Sequence, residues 1–321
     1  MQTGIRRLRP LGITDILDET VDLYKSNFAL FVGSAAILYI PIFLISGFLN
    51  DPVGGRGGDL ASILLMLLML ASEAVVTGAL TYGISERYLG RHTTIAACYK
   101  RILDSKAFWK FIGIVLLKDL ITIGPLQIVG MAVPAPGNDM TMQQDIMATA
   151  AFLMVIGALS IVGMIWAVYA GTKLFLLEPA FILEAKGGFK SMGRSMSLTK
   201  GYFWKIFGLL IIVGIALGLI IMILVGPVYG IYILKLSRGE VSTSLAVLSS
   251  ILLTVVGTLA VPIPAILSIL IYYDIRVRKE GFDLELLANE LDRKTQEISA
   301  NDITSLPQEK TDQSSDTDKQ P

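Results

Sequence analysis

The stretch "TKGYFWKIFGLLIIVGIALGLIIMIL" (residues 199–224) decides the fold. From Phe203 it runs apolar to about residue 234, with only Lys205 charged before Lys235. A helix rises about 1.5 Å per residue, so roughly 20 such residues cross a hydrocarbon core of about 30 Å. In lipid only helices and closed barrels satisfy the backbone. The run is unbroken leucine, isoleucine, valine, alanine and glycine. Barrel strands instead read as ten-residue segments of alternating polarity. The stretch is therefore expected to be a transmembrane helix.

Five more runs of this kind lie at about 28–49, 60–84, 108–131, 147–177 and 243–273. They explain a composition of 53% hydrophobic and 17% charged residues. Soluble domains carry about 25% charged residues. The expected class is an all-α membrane protein with six transmembrane helices. The first 27 residues are polar, so a cleaved signal peptide is not expected. Zero net charge gives no hint of nucleic acid.

The positive charges are sorted. With the N-terminus in the cytosol, the inner flanks hold four clusters. These are Arg6, Arg7, Arg9 and Lys25; then Arg87, Arg91, Lys100, Arg101, Lys106 and Lys110; then Lys186, Lys190, Arg194, Lys200 and Lys205; then Arg276, Arg278 and Lys279. The outer loops hold only Arg56, Lys235 and Arg238. The positive-inside rule then places both termini in the cytosol.

The chain also repeats. "KSNFALFVG" (25–33), "DSKAFWKFIG" (104–113) and "TKGYFWKIFG" (199–208) each place Gly five residues after Phe. The pairs are Phe28 and Gly33, Phe108 and Gly113, and Phe203 and Gly208. Trp109 with Lys110, and Trp204 with Lys205, follow the second and third Phe and read as interfacial anchors. A polar segment of helical periodicity precedes each copy. The apolar positions are Ile13, Ile16, Leu17, Val21, Tyr24 and Phe28 in the first, where Thr14 is the expected N-cap. They are Ile95, Cys98, Tyr99, Ile102 and Leu103 in the second, and Phe189, Met192, Met196 and Thr199 in the third. The unit reads as interfacial amphipathic helix, span out, outer loop, span back, used three times. Residues 1–291 are expected to form the six-helix membrane domain. The polar segment 292–321 is expected to be a disordered cytosolic tail.

Little in the sequence carries chemistry. His92 is the single histidine and Cys98 the single cysteine, so no disulfide and no multi-histidine metal site is expected. Cys98 reads as a small buried residue rather than a palmitoylation site. No nucleophile elbow, zinc helix motif or nucleotide loop occurs, and "NDPVGGRGGD" (50–59) lacks the Lys-Ser/Thr of a phosphate loop. Catalytic residues, metal ligands and cofactors are therefore expected to be none. Charges within spans are costly and single out Glu73 in the second span and Lys118 and Asp119 in the third. Glu73 and Lys118 lie at similar depth, so a pair between them is expected, as a structural lock or part of a polar path. Gly124-Pro125, Gly226-Pro227 and Pro262 with Pro264 predict kinks.

"YYDIRVRKEGFDLELL" (272–287) closes the last span. Tyr272 and Tyr273 read as interfacial residues, with Arg276 and Lys279 holding the chain inside. Lys279, Gly281 and Phe282 match Lys186, Gly188 and Phe189, each 93 residues earlier, so a fourth surface helix is expected here. This stretch, "LRPLGITDILDETVDLYKSNF" and "LEAKGGFKSMGRSMSLTKGYFWKIFG" resemble the membrane domain at the N-terminus of some bacterial glycerophosphoryl diester phosphodiesterases. The same domain occurs as stand-alone membrane proteins, and the resemblance covers about residues 8–291. It implies a multi-pass protein of the bacterial plasma membrane. It implies no activity, because the family's chemistry belongs to a separate barrel with histidines and metal-binding carboxylates. Two roles are expected. One is a non-catalytic scaffold, accessory or lipid-organising module at the inner face, touching anionic headgroups and a further membrane protein. The alternative is a transporter or channel for a small or amphiphilic solute.

Overall fold

In a computed structural model, residues 10–49, 59–104, 106–131, 146–184, 187–240 and 243–285 are described, with 288, 291, 292 and 295. Among them every regular element is a helix. In chain order these are α1 (Ile13–Ser26), α2 (Phe28–Leu49), α3 (Asp59–Tyr88), α4 (Ile95–Leu103) and α5 (Phe108–Thr122). Next come α6 (Gly124–Met131), α7 (Ile146–Leu174), α8 (Leu177–Glu184) and α9 (Gly188–Thr199). The last are α10 (Phe203–Leu224), α11 (Gly226–Ser237), α12 (Thr243–Ala260) and α13 (Pro262–Glu280). The outer segments 50–58 and 132–145 and the tail from 296 lie outside the described residues.

The expected kinks are single-residue breaks at Ile123, Val225 and Val261, each just before a proline. Proline lacks an N–H and its ring crowds the carbonyl four residues back, so the ladder is interrupted there. The residue at each break still bonds backwards: Ile123 N to Asp119 O at 2.8 Å, Val225 N to Ile221 O at 2.8 Å, and Val261 N to Gly257 O at 3.0 Å. Five helical stretches are long and apolar enough to cross a membrane: Phe28–Ile45, Leu64–Tyr88, Phe152–Glu184, Phe203–Leu224 and Ser244–Glu280. The run 108–131 is not among them; it comprises helices of 15 and 8 residues on either side of Ile123.

α13 is the axis of the bundle and packs against α1, α3, α8, α10 and α12. Ile266, Leu267, Ile269, Leu270, Ile271 and Ile275 on it are all buried, as a helix covered on every side must be. A second core forms where α3, α5 and α8 meet, around Ala74, Phe111, Val115, Leu177 and Phe181. Close approach there depends on Gly78, where a Cβ would lie 2.8 Å from the Phe111 ring. In contrast, Met154, Val162, Ile165, Ile215, Met222 and Ile223 on α7 and α10 are exposed. Contiguous apolar surface of this extent fits lipid contact rather than water.

The amphipathic helices differ in detail from expectation. α1 starts from Gly12, not Thr14, and the Gly12 N–H donates to Asp15 Oδ2 at 2.9 Å. Its buried positions are Ile16, Thr20 and Leu23, whereas Ile13 and Val21 point outward. α9 buries Ser191, Ser195, Leu198 and Thr199 and turns Phe189 and Met196 outward. Its small polar residues pack on protein together with Leu198, and Phe189 and Met196 remain on the outside. α4 follows the expected pattern at Cys98 and Ile102, but Leu103 is exposed. Residues 282–285 resume a helix after Gly281, whose φ of 62° is the left-handed turn a helix end favours.

Cys98 is 1% exposed, and a Cβ on Gly83 would lie 2.8 Å from its sulfur. Burial raises its thiol pKa, which lowers the thiolate fraction that reacts. N-ethylmaleimide should leave Cys98 unmodified in native membranes and label it only after denaturation, as read by intact-mass spectrometry.

Candidate functional site: a charged cavity within the bundle

The site is built by helix breaks. α7 ends at Leu174 and α8 starts at Leu177, two residues before Pro179. This break points Glu178 into the bundle, where the residue is 6% exposed. Lys118 sits on α5, one turn before the break at Ile123, and its Nζ lies 2.6 Å from Glu178 Oε1 and 3.3 Å from Asp119 Oδ1. Thr122 Oγ1 donates to the Lys118 carbonyl at 2.9 Å.

A cavity of about 480 Å³ opens beside these groups. Glu73, Thr77, Lys118, Asp119, Glu178 and Ser268 contribute its polar lining, and Ala167, Gly171, Phe175 and Pro264 part of its apolar wall. A second cleft of about 340 Å³ lies alongside, lined by Ile42, Phe43, Met69, Leu253 and Thr258. Tyr39, Glu73 and Val261 line both spaces. Asp119 Oδ2 is enclosed without a hydrogen-bond partner.

Glu73, Lys118 and Asp119, singled out from sequence, thus line one cavity. The ion partners of Lys118 are Glu178 and Asp119, and no ion pair joins it to Glu73 among the described residues. Glu178 is the member that sequence reasoning missed. Its signal was a carboxylate directly before Pro179, where the apolar run 147–177 ends.

A separate ionic network ties one end of the bundle. Asp274 is buried and accepts from Leu11 N at 2.7 Å, Arg278 Nε at 2.9 Å and Lys205 Nζ. Arg194 donates from Nε to both Glu184 oxygens at 2.8 and 2.9 Å, and also pairs with Glu280. These carboxylates raise the Arg194 pKa further. Lys279 Nζ donates to the carbonyls of Ser197, Leu198 and Lys200, and so caps the C-terminus of α9.

The interfacial anchors accordingly divide. Trp109 and Trp204, at 78% and 77% exposure, face outward, as does Lys110. Tyr272 and Tyr273, expected at an interface, are 0% and 4% exposed. Tyr272 donates to Glu184 Oε1 at 2.8 Å, and Tyr273 shares a hydrogen bond with Ser85 Oγ at 2.7 Å. Burial without loss of a hydroxyl partner is the usual condition for tyrosine in a core. Lys205 and Arg276 likewise point to protein partners, Asp274 and Glu280, instead of reaching for headgroups.

Helices with apolar outer surfaces, joined by end-capping short helices around a charged interior, define a multi-pass α-helical membrane protein. The family model described as the membrane domain of glycerophosphoryl diester phosphodiesterase matches residues 142–306, just over half of the chain, and the chain belongs to that family. What matches is the membrane part and not the catalytic domain. No curated protein and no solved structure matches the chain. Among the described residues no group of three or more His, Cys, Asp or Glu side chains could hold a metal ion.

Proposed function

We propose that the chain is a non-catalytic module of the plasma membrane, with six spans and both termini in the cytosol, that takes a small amphiphilic solute into its charged cavity. One observation carries this reading: three acidic side chains and one lysine line about 480 Å³ of open space inside a bundle whose outer surface is apolar. Ionisable groups at such positions are costly and are kept for function by default. The volume falls in the range of about 300–1,000 Å³ usual for small-molecule sites. Breaks at Ile123, between α7 and α8, and at Val261 all abut the cavity, and broken helices are where membrane bundles expose backbone to solutes. A scaffold needs no such space. The family's name refers to a phosphodiesterase, but an anionic phosphodiester would meet three carboxylates against one ammonium here.

A lipid-organising scaffold is supported by a different observation. Lys100, Arg101, Lys106, Lys110, Lys190 and Lys200 are exposed near α4 and α9, suited to anionic headgroups. Cysteine accessibility separates the two readings. In a Cys98→Ser background, Thr77→Cys and Ala167→Cys line the cavity, whereas Val162→Cys is on the outer surface. A membrane-impermeant cationic thiosulfonate should modify the first two in native vesicles and spare the third. Failure to modify either cavity position would favour a filled core and the scaffold.

A further inference from the structure

The two adjoining spaces have different chemistry, and the difference specifies a ligand. Glu73, Asp119 and Glu178 face the cavity against the single ammonium of Lys118. That ammonium is already engaged by Glu178 Oε1 and Asp119 Oδ1. One carboxylate faces the open space without a partner, and a second oxygen lies behind the cavity wall. Asp119 Oδ2 is enclosed and unpartnered, and Glu73 makes no hydrogen bond or ion pair among the described residues. An unpartnered carboxylate exposed to an open space within a membrane-spanning helix calls for a cation.

The neighbouring cleft is different. Ile42, Met69 and Leu253 line it, and two of its hydroxyls are turned back onto their own helices: Ser72 Oγ to Met69 O at 2.7 Å and Thr258 Oγ1 to Thr254 O at 2.7 Å. It therefore offers apolar surface with no free donor from these two groups. Glu73 and Tyr39 stand in the wall common to both spaces. An aromatic side chain next to a carboxylate suits an organic ammonium.

The geometry points to a cationic amphiphile as the ligand: an ammonium head held by Glu73 in the larger cavity, with a single alkyl tail in the cleft between α2, α3 and α12. This assignment rests on the solute-binding reading above, which it narrows to one chemical class. Charge complementarity selects the head, and the apolar walls select the tail.

The test uses the full-length chain in maltoside micelles and three photoreactive probes with the same diazirine-bearing tetradecyl tail. The heads are trimethylammonium, phosphate and a neutral maltoside. Labelling is mapped by peptide mass spectrometry, and affinity is read by competition with unlabelled probe. The ammonium probe should label peptides containing Ile42, Met69 or Leu253 at least tenfold more tightly than the other two. Glu73→Gln should weaken it at least tenfold, and Glu73→Asp should recover much of the loss. The comparison of the three probes on the unmodified chain does not depend on any variant folding. If the phosphate or maltoside probe labels the cleft as tightly as the ammonium probe, the cationic class is wrong and solute binding survives. If no probe labels the cleft, both fall.

Discussion

Replacing Asp274 with alanine is expected to cost about 3–5 kcal/mol of folding stability, the usual effect of removing one partner from a buried ion pair. Asp274 is buried and receives the Lys205 ammonium, the Arg278 guanidinium and the Leu11 backbone N–H. Its loss leaves two cations without their carboxylate and releases the segment entering α1. Lys205 and Arg278 also donate to the Leu11 carbonyl, each at 2.9 Å, so those bonds lose their electrostatic anchor. The effect should appear as a large fall in the apparent melting temperature of the detergent-solubilised protein. Asp274→Asn keeps an acceptor for the Leu11 N–H and should be milder. An unchanged melting temperature for Asp274→Ala would show that this network does not hold α1 and α13 together.

The second large effect separates a structural pair from a solute-facing group. Lys118→Met leaves Glu178 buried with its charge unpaired and is expected to cost about 3–5 kcal/mol. The double variant Lys118→Met with Glu178→Leu should recover most of that loss, because a buried pair replaced by apolar residues of similar volume is often neutral or better. Glu73→Gln should behave in the opposite manner. Glu73 has no ion partner among the described residues, so removing its charge should leave the melting temperature the same or raise it. A full set of melting curves on these variants is sufficient. Were Glu73→Gln as destabilising as Lys118→Met, Glu73 would belong to the lock, and the cavity would lose its free carboxylate.

Five of the six expected spans correspond to helical stretches long and apolar enough to cross a membrane, and they were legible because their signal is local. Twenty consecutive apolar residues cannot be left in water, and the ends carry aromatic and basic residues. The breaks at Ile123, Val225 and Val261 were legible for the same reason, since a proline acts on its own helix. Which apolar face meets protein was not legible. In a membrane, lipid-facing and buried positions are equally apolar, so Tyr272 and Tyr273 read like interfacial residues although α1, α3 and α8 surround α13. Long-range pairs were also hidden. Lys118 and Glu178 are 60 residues apart and Lys205 and Asp274 are 69 apart, so each pair exists only once the bundle is assembled. The depth argument chose Glu73 for Lys118 because both lie far inside their spans. The break before Pro179 brings Glu178 to Lys118 from the end of another span.

The central claim is that the bundle encloses a charged space open to a solute. Its most direct test is the rate at which a cationic thiosulfonate modifies Thr77→Cys in the Cys98→Ser background, with and without tetradecyltrimethylammonium below its micellar concentration. Thr77 lines the cavity beside Glu73. The account predicts modification within minutes for the free protein and at least a tenfold slower rate with the amphiphile. No modification in the free protein, while denatured protein reacts fully, would contradict it.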